Sequence, residues 1–448
     1  MRMADLLDRI AESWESGAIV VLSLLMCLGG CFGVFEPTET PSPVLSGHIT
    51  TDLTLGAIDK PYILRGYVVV DSPHTLIIEP GVTIHGEKSS IGTLIISRGA
   101  KIIAVGTQTA PIVFTSDQPK GQRKPGDWGG LVINGNAPIN NGDANGQKMG
   151  EGNTGWYGGD DPTDNSGTLQ YIRVEFAGRK YNPKKQLNGI AFQGVGAGTT
   201  VDHIQVHLCK DDGIEFFGGN VCAKYILCLG SHDDSFDWTD GWRGKGQFWI
   251  SYQESDEEGD KGIEGNNVSQ DDPDVGQSPV SEATLYNISL IGNEEASGLV
   301  GANFRKGTKI RLYNSIIQEF GTGLKIDADS WNTFTQSTDG GSFSTIRSCL
   351  LNSIRNKDII DEDSLGQKAF LLEDTTLGNH SGNYKAIQSA PTWDFRTTHA
   401  LLSTLAERGI EPVKPPQDGF FEHADYIGAM GPNPSDDWTA DWITTVDN

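Results

Sequence analysis

The sequence predicts an all-β protein, a single-stranded right-handed parallel β-helix with short terminal caps, and three observations lead to that class. Laying "TLIIEPGVTI" (75–84) over "TLIISRGAKI" (93–102) aligns six identical residues at a constant offset of eighteen. A second motif recurs as "LNGIAF" (187–192), "DDGIEF" (211–216), "DDSFDW" (233–238), "ASGLVG" (296–301) and "GTGLKI" (321–326), at offsets of 24, 22, 63 and 25. The 448 residues include 56 Gly and 20 Pro but only five Met, a turn-rich composition foreign to a helical bundle. One turn of a coil cannot bury its apolar face without neighbours, so short β-branched runs at periods near twenty read as stacked rungs.

Residues 1–30 read as a secretion signal, because "GAIVVLSLLMCLGGCFGVF" (17–35) carries no charge and "EPTETPSP" follows it at once. Leu28-Gly29-Gly30-Cys31 resembles a bacterial lipobox, which makes Cys31 the lipidated first residue of the mature chain. The preceding "MRMADLLDRIAESWESG" is acidic, where a signal should start positive, and nineteen uncharged residues also reach the lower limit of an uncleaved anchor. Both readings place the rest outside the cytoplasm. Residues 31–47 then serve as a flexible linker.

The coil is expected over 48–397. Strands precede the motif copies, as in "TVDHIQVHL" (200–208), where Ile204, Val206 and Leu208 alternate with His203, Gln205 and His207 to give one face to the core and one to water. The step of 63 holds the acidic stretch "ESDEEGDKGIEGNNVSQDDPD", so it is read as one or more rungs plus a solvated acidic insertion near 254–280. In 398–448, "THALLSTLAERG" has helical apolar spacing with a Gly stop, and an aromatic tail follows that is expected to cover the open end of the coil.

Formal charge is −25, from 59 acidic against 34 basic residues, a field that repels nucleic acid and attracts divalent cations. Cys209, Cys222, Cys228 and Cys349 are too few and too scattered for a disulfide framework or a zinc knuckle and read as buried small hydrophobes. His203 and His207 lie about 13 Å apart in a strand, too far for one zinc, and read as surface residues.

Stacking places Asp211 beneath Asp233, Asp212 beneath Asp234 and Glu215 beneath Asp237, about 4.8 Å apart. If Ile214 and Phe236 point inward, Glu215 and Asp237 point outward together, and two carboxylates that close take up a proton or a cation. Calcium, with its six to eight hard oxygen ligands, suits a set of Asp211, Glu215, Asp233, Asp237 and Asp240. Asn188, Asp212, Asp234, Ser297 and Thr322 share one ladder position at a corner, where short polar side chains bond backbone amides. Trp238, Trp242 and Trp249 beside the acids would suit a sugar-binding groove if an indole were exposed. A catalytic alternative, a polysaccharide lyase or glycoside hydrolase acting on an acidic polysaccharide, would use Glu215, Asp237, Asp240 and Arg243. The Gly-His-Gly and Arg-x-Lys elements of polygalacturonases are missing, as are an EF-hand loop, a Walker loop, GxSxG and HExxH.

From about residue 81 onward, "GDWGGLVINGNAPIN", "YGGDDPTDNSGTLQYIRVEFAG", "DDGIEFFGG", "DDSFDWTDGWRGKGQFW" and the closing "DYIGA" and "DWTADW" resemble bacterial envelope lipoproteins with a pectin-lyase-like β-helix, including a leptospiral outer-membrane lipoprotein. The resemblance implies a secreted or lipid-anchored surface protein of poorly defined molecular function, and the acids and tryptophans above make a polysaccharide or another envelope component the expected partner. It supplies no catalytic residues.

Overall fold

The computed structural model describes residues 42–182, 185–254, 259–269, 272–293, 298–335, 344–360, 365–384, 386–388 and 393–445. The signal segment, Cys31 and all but the end of the linker lie outside the described residues, as does Ser297.

Twenty-six strands pair in parallel through successive turns of a right-handed coil. Pairing starts at the strand Val44–Ile49, four residues before the expected boundary. Inside the coil, Ile190, Ile214, Phe236, Ile263, Ala302 and Leu324 stack in register, and so do Phe192, Phe216, Trp238, Gly265, Phe304 and Ile326. All of the apolar members are buried, which is how each turn completes the core of the next.

The offset of eighteen is not the rung. Thr75–Ile78 pairs with Lys101–Val105, and Tyr62–Val70 pairs with Thr93–Ile96, so early partners stand 26 residues apart. Both 75–78 and 93–96 bury Leu and Ile behind a Thr, and that shared demand makes strands of different faces look alike. Within the step of 63, the strand Lys261–Asn266 pairs with both Phe236–Thr239 and Val300–Arg305. Six residues in the middle of the stretch read as a solvated insertion therefore belong to a rung. Opposite Lys261 stands Val300, and opposite Val300 stands Thr322, so the corner position given to Ser297 belongs to Val300.

The four cysteines are free, three of them buried, as expected of small hydrophobes. The alternation in 200–208 places Ile204 and Val206 in the core correctly, but Leu208 falls past the end of the strand, where the chain turns and Cys209 joins the core instead, and the outer face is covered as well. His207 and Gln205 are buried, and His203 is stacked between Tyr171 and Tyr225 at 4.4 Å on each side, beneath Trp438 and Trp442.

The cover is the C-terminal tail. The helix His399–Glu407 forms as predicted, with the Thr398 hydroxyl accepting from the Leu401 amide, and buries Leu401 and Leu405 against Ile250, Ile291 and Ile316 on the outside of the coil. Beyond it the chain runs along the flank and not across the open end. Outward amides hold its backbone: Asn314 bonds Val413 by both donor and acceptor, Gln247 does the same with Glu422, and Gln205 with Thr444. Each amide mimics one step of a strand ladder, so the backbone groups of Val413, Glu422 and Thr444 are satisfied without a strand.

Candidate functional site

The site grows from one column of a single sheet. Reading outward-facing residues in register gives Val69, Ile95, Val132, Ala191, Glu215, Asp237, Glu264, Asn303 and Lys325. The apolar members up to Ala191 are covered by Ile139, Tyr157 and Phe217. Past Ala191 the column turns acidic. Glu215 and Asp237 are adjacent as expected, but each is only 8% exposed, so they form the floor of a groove and not an open surface.

The groove has a volume of about 890 Å³ and is lined by nine carboxylates and four basic side chains, a ratio that makes it a cation trap. Four carboxylate triads bring oxygens within 4.8 Å of one another: Asp211, Asp212 and Asp233; Asp212, Glu215 and Asp237; Asp233, Asp234 and Asp260; Asp234, Asp237 and Glu264. At the corner, Asp212 accepts from the Asp234 amide at 3.0 Å, the backbone role expected of this ladder position, while its carboxylate also joins two of the triads. Asn188 donates to Glu215 Oε2 at 2.5 Å.

The two ends of the column differ electrostatically. Burial would raise Glu264, yet Lys261 and Arg305, both paired with it, hold it below the usual carboxylate range. Lys261 Nζ also lies 3.3 Å from Asp234 and contacts Asp260. One rung earlier no lysine or arginine among the described residues pairs with Asp211, Asp212, Glu215, Asp233 or Asp237. Burial, reinforced by neighbouring carboxylates, pushes Asp212, Glu215 and Asp237 well above the ordinary range, and Asp211 up to about 8. Asp237 Oδ1 is buried and accepts no hydrogen bond from any described residue, and the same holds for Thr239 Oγ1 and Asn266 Oδ1 on the groove wall. Such orphaned acceptors in a net-negative cavity suit a hard cation.

Several residues proposed from the sequence fall elsewhere. Asp240 is fully buried behind the groove and does not line it; the Tyr157 hydroxyl (2.7 Å), Lys148 Nζ (2.9 Å) and the Asn141 amide (2.7 Å) engage both of its oxygens there. Arg243 pairs with Glu282 at 2.9 Å on the outside of the coil and does not line the groove. Trp238, Trp242 and Trp249 point into the core with no exposed surface, their indoles donating to Thr308, Val221 O and Ala223 O. With these three indoles inside, the sugar-platform role given to them fails. Aromatic faces at the groove come instead from Tyr157, Tyr181 and Phe217, which sequence reading passed over.

Glu264, Lys261, Asp260 and Arg305 were also missed. A signal existed for the first two: "KGIEGN" (261–266) repeats the "DGIEFF" pattern of 212–217, with Lys in place of Asp. Arg305 carried none, since its place follows only from register.

A protein-family model described as a pectate-lyase like beta helix domain matches residues 47–396. No curated protein and no solved structure matches the chain. The match spans most of the chain and coincides with the coil, so this protein belongs to the pectate-lyase-like β-helix domain family.

Proposed function

We propose that this chain is a lipid-anchored envelope protein, attached through Cys31, whose groove binds calcium and through it a polysaccharide or another envelope ligand. The observation that carries the reading is Asp237 Oδ1, a buried acceptor with no donor among the described residues, set between Glu215 and Glu264 in one column. Burying Asp212, Glu215 and Asp237 together without a counter-ion costs several kcal/mol per charge, and a divalent cation offsets that cost. All-oxygen donors favour calcium over zinc, which prefers nitrogen and sulfur. The groove is large enough for a few sugar rings, with Tyr181 and Phe217 as apolar contacts.

Calorimetric titration of the mature chain with calcium should give binding that Glu215→Gln weakens, and a flat trace would remove the reading. Metabolic palmitate labelling that Cys31→Ser abolishes tests the anchor.

One observation favours a catalytic reading. Asp212, Glu215 and Asp237 lie within reach of one another, and their burial keeps a proton on part of the set, the arrangement from which a glycosidase or lyase draws an acid beside a carboxylate. Release of reducing ends or unsaturated products from acidic polysaccharides, abolished by Asp237→Asn, would establish it.

A further inference from the structure

The four triads are two pairs related by one turn of the coil. Moving Asp211, Asp212 and Asp233 one rung forward gives Asp233, Asp234 and Asp260, and moving Asp212, Glu215 and Asp237 gives Asp234, Asp237 and Glu264. The forward pair already holds a cation. Lys261 Nζ lies 3.3 Å from Asp234 Oδ1 and 3.0 Å from Glu264 Oε1 and also contacts Asp260, with a side chain only 12% exposed. The equivalents of those three partners one rung back are Asp212, Asp237 and Asp233, and no lysine or arginine among the described residues pairs with them. At the position of Lys261 itself, the earlier rung has Asp234 and the later one Val300.

We propose that Lys261 is a tethered cation filling the second of two repeat-related cation positions, so that the groove takes one exchangeable divalent ion where its carboxylates would otherwise hold two. This deepens the calcium reading and rests on it. The ammonium donates hydrogen bonds to Asp234 and Asp260 and forms an ion pair with Glu264 at 3.0 Å, so its charge is shared among all three carboxylates. A hard divalent ion draws on the same oxygens, so removing the tethered charge opens the forward position to the ion. Lys261 then sets both the stoichiometry and the end of the groove at which the ion sits.

The test is calcium stoichiometry by calorimetry on the mature chain. The wild type should bind one ion, Lys261→Met two, and Lys261→Arg one. A wild type that binds two, or a Lys261→Met protein that still binds one, overturns the proposal. A wild type that binds none beside a Lys261→Met protein that binds one would uphold the role of Lys261 and sink the calcium reading of the native groove. If neither binds, both fall. Should Lys261→Met unfold without metal, thermal melts decide: recovery of the wild-type transition in millimolar calcium, and not in sodium chloride of equal ionic strength, is expected, and a variant that stays unfolded with calcium overturns the proposal.

Discussion

Glu215 and Asp237 are paired in register on neighbouring parallel strands, both nine-tenths buried and both turned into the same groove. Two acids so placed make stability depend on pH in the reverse of the common direction.

A carboxyl whose folded pKa lies above its unfolded value binds protons more tightly in the native state, so stability falls as pH rises between the two values. For Asp211 that window runs from about 4 to about 8. Metal-free protein should therefore melt at a higher temperature at pH 5 than at pH 8. Calcium should reverse the order, with its largest stabilisation at pH 8, and calorimetric melts with chelator and with calcium measure both.

Asp237→Asn and Glu215→Gln keep the shape and remove a charge from the column. Each should lower calcium affinity by about tenfold or more while raising the metal-free melting temperature at pH 8, because the repulsion within the triads falls. A drop in both quantities would mean that the carboxylates are held by partners of another kind.

Gly265 lies beneath the Trp238 indole, where an added Cβ would stand 2.3 Å from the ring. Gly265→Ala should cost about 1–3 kcal/mol, as overpacked cores do, and shift tryptophan emission as the ring moves. Denaturant unfolding followed by fluorescence reads both effects.

Arg243→Ala is the contrasting case. The ion pair with Glu282 is half exposed on the guanidinium side, so its loss should change stability by less than about 1 kcal/mol and leave calcium affinity unaltered.

Much of the architecture was legible because coiling turns linear recurrence into spatial columns. The pattern of "DDGIEF" and "DDSFDW" located Glu215 against Asp237 and Asp212 against Asp234, since both copies keep an apolar residue inward and an acid outward. The third member, Glu264, was hidden by its own surroundings: a dense run of acids at 254–274 reads as solvated, and Gly265 replaces the aromatic residue that marked the earlier copies. That replacement is a packing requirement, because Trp238 fills the space of two rungs. Asp240, Arg243 and the tryptophans were misplaced for one reason. Nearness in sequence to the acids says nothing about which side of a turning chain a residue faces.

The C-terminal tail alters how the whole molecule should come apart. In a solenoid each repeat touches only its neighbours, so ends fray and unfolding spreads turn by turn. Here a single segment bonds Gln108, Gln205, Gln247, Asn314 and Ser348, residues separated by many rungs. Such a lashing links distant turns, so that loosening one loads the others, and the coil is expected to give way as one cooperative body.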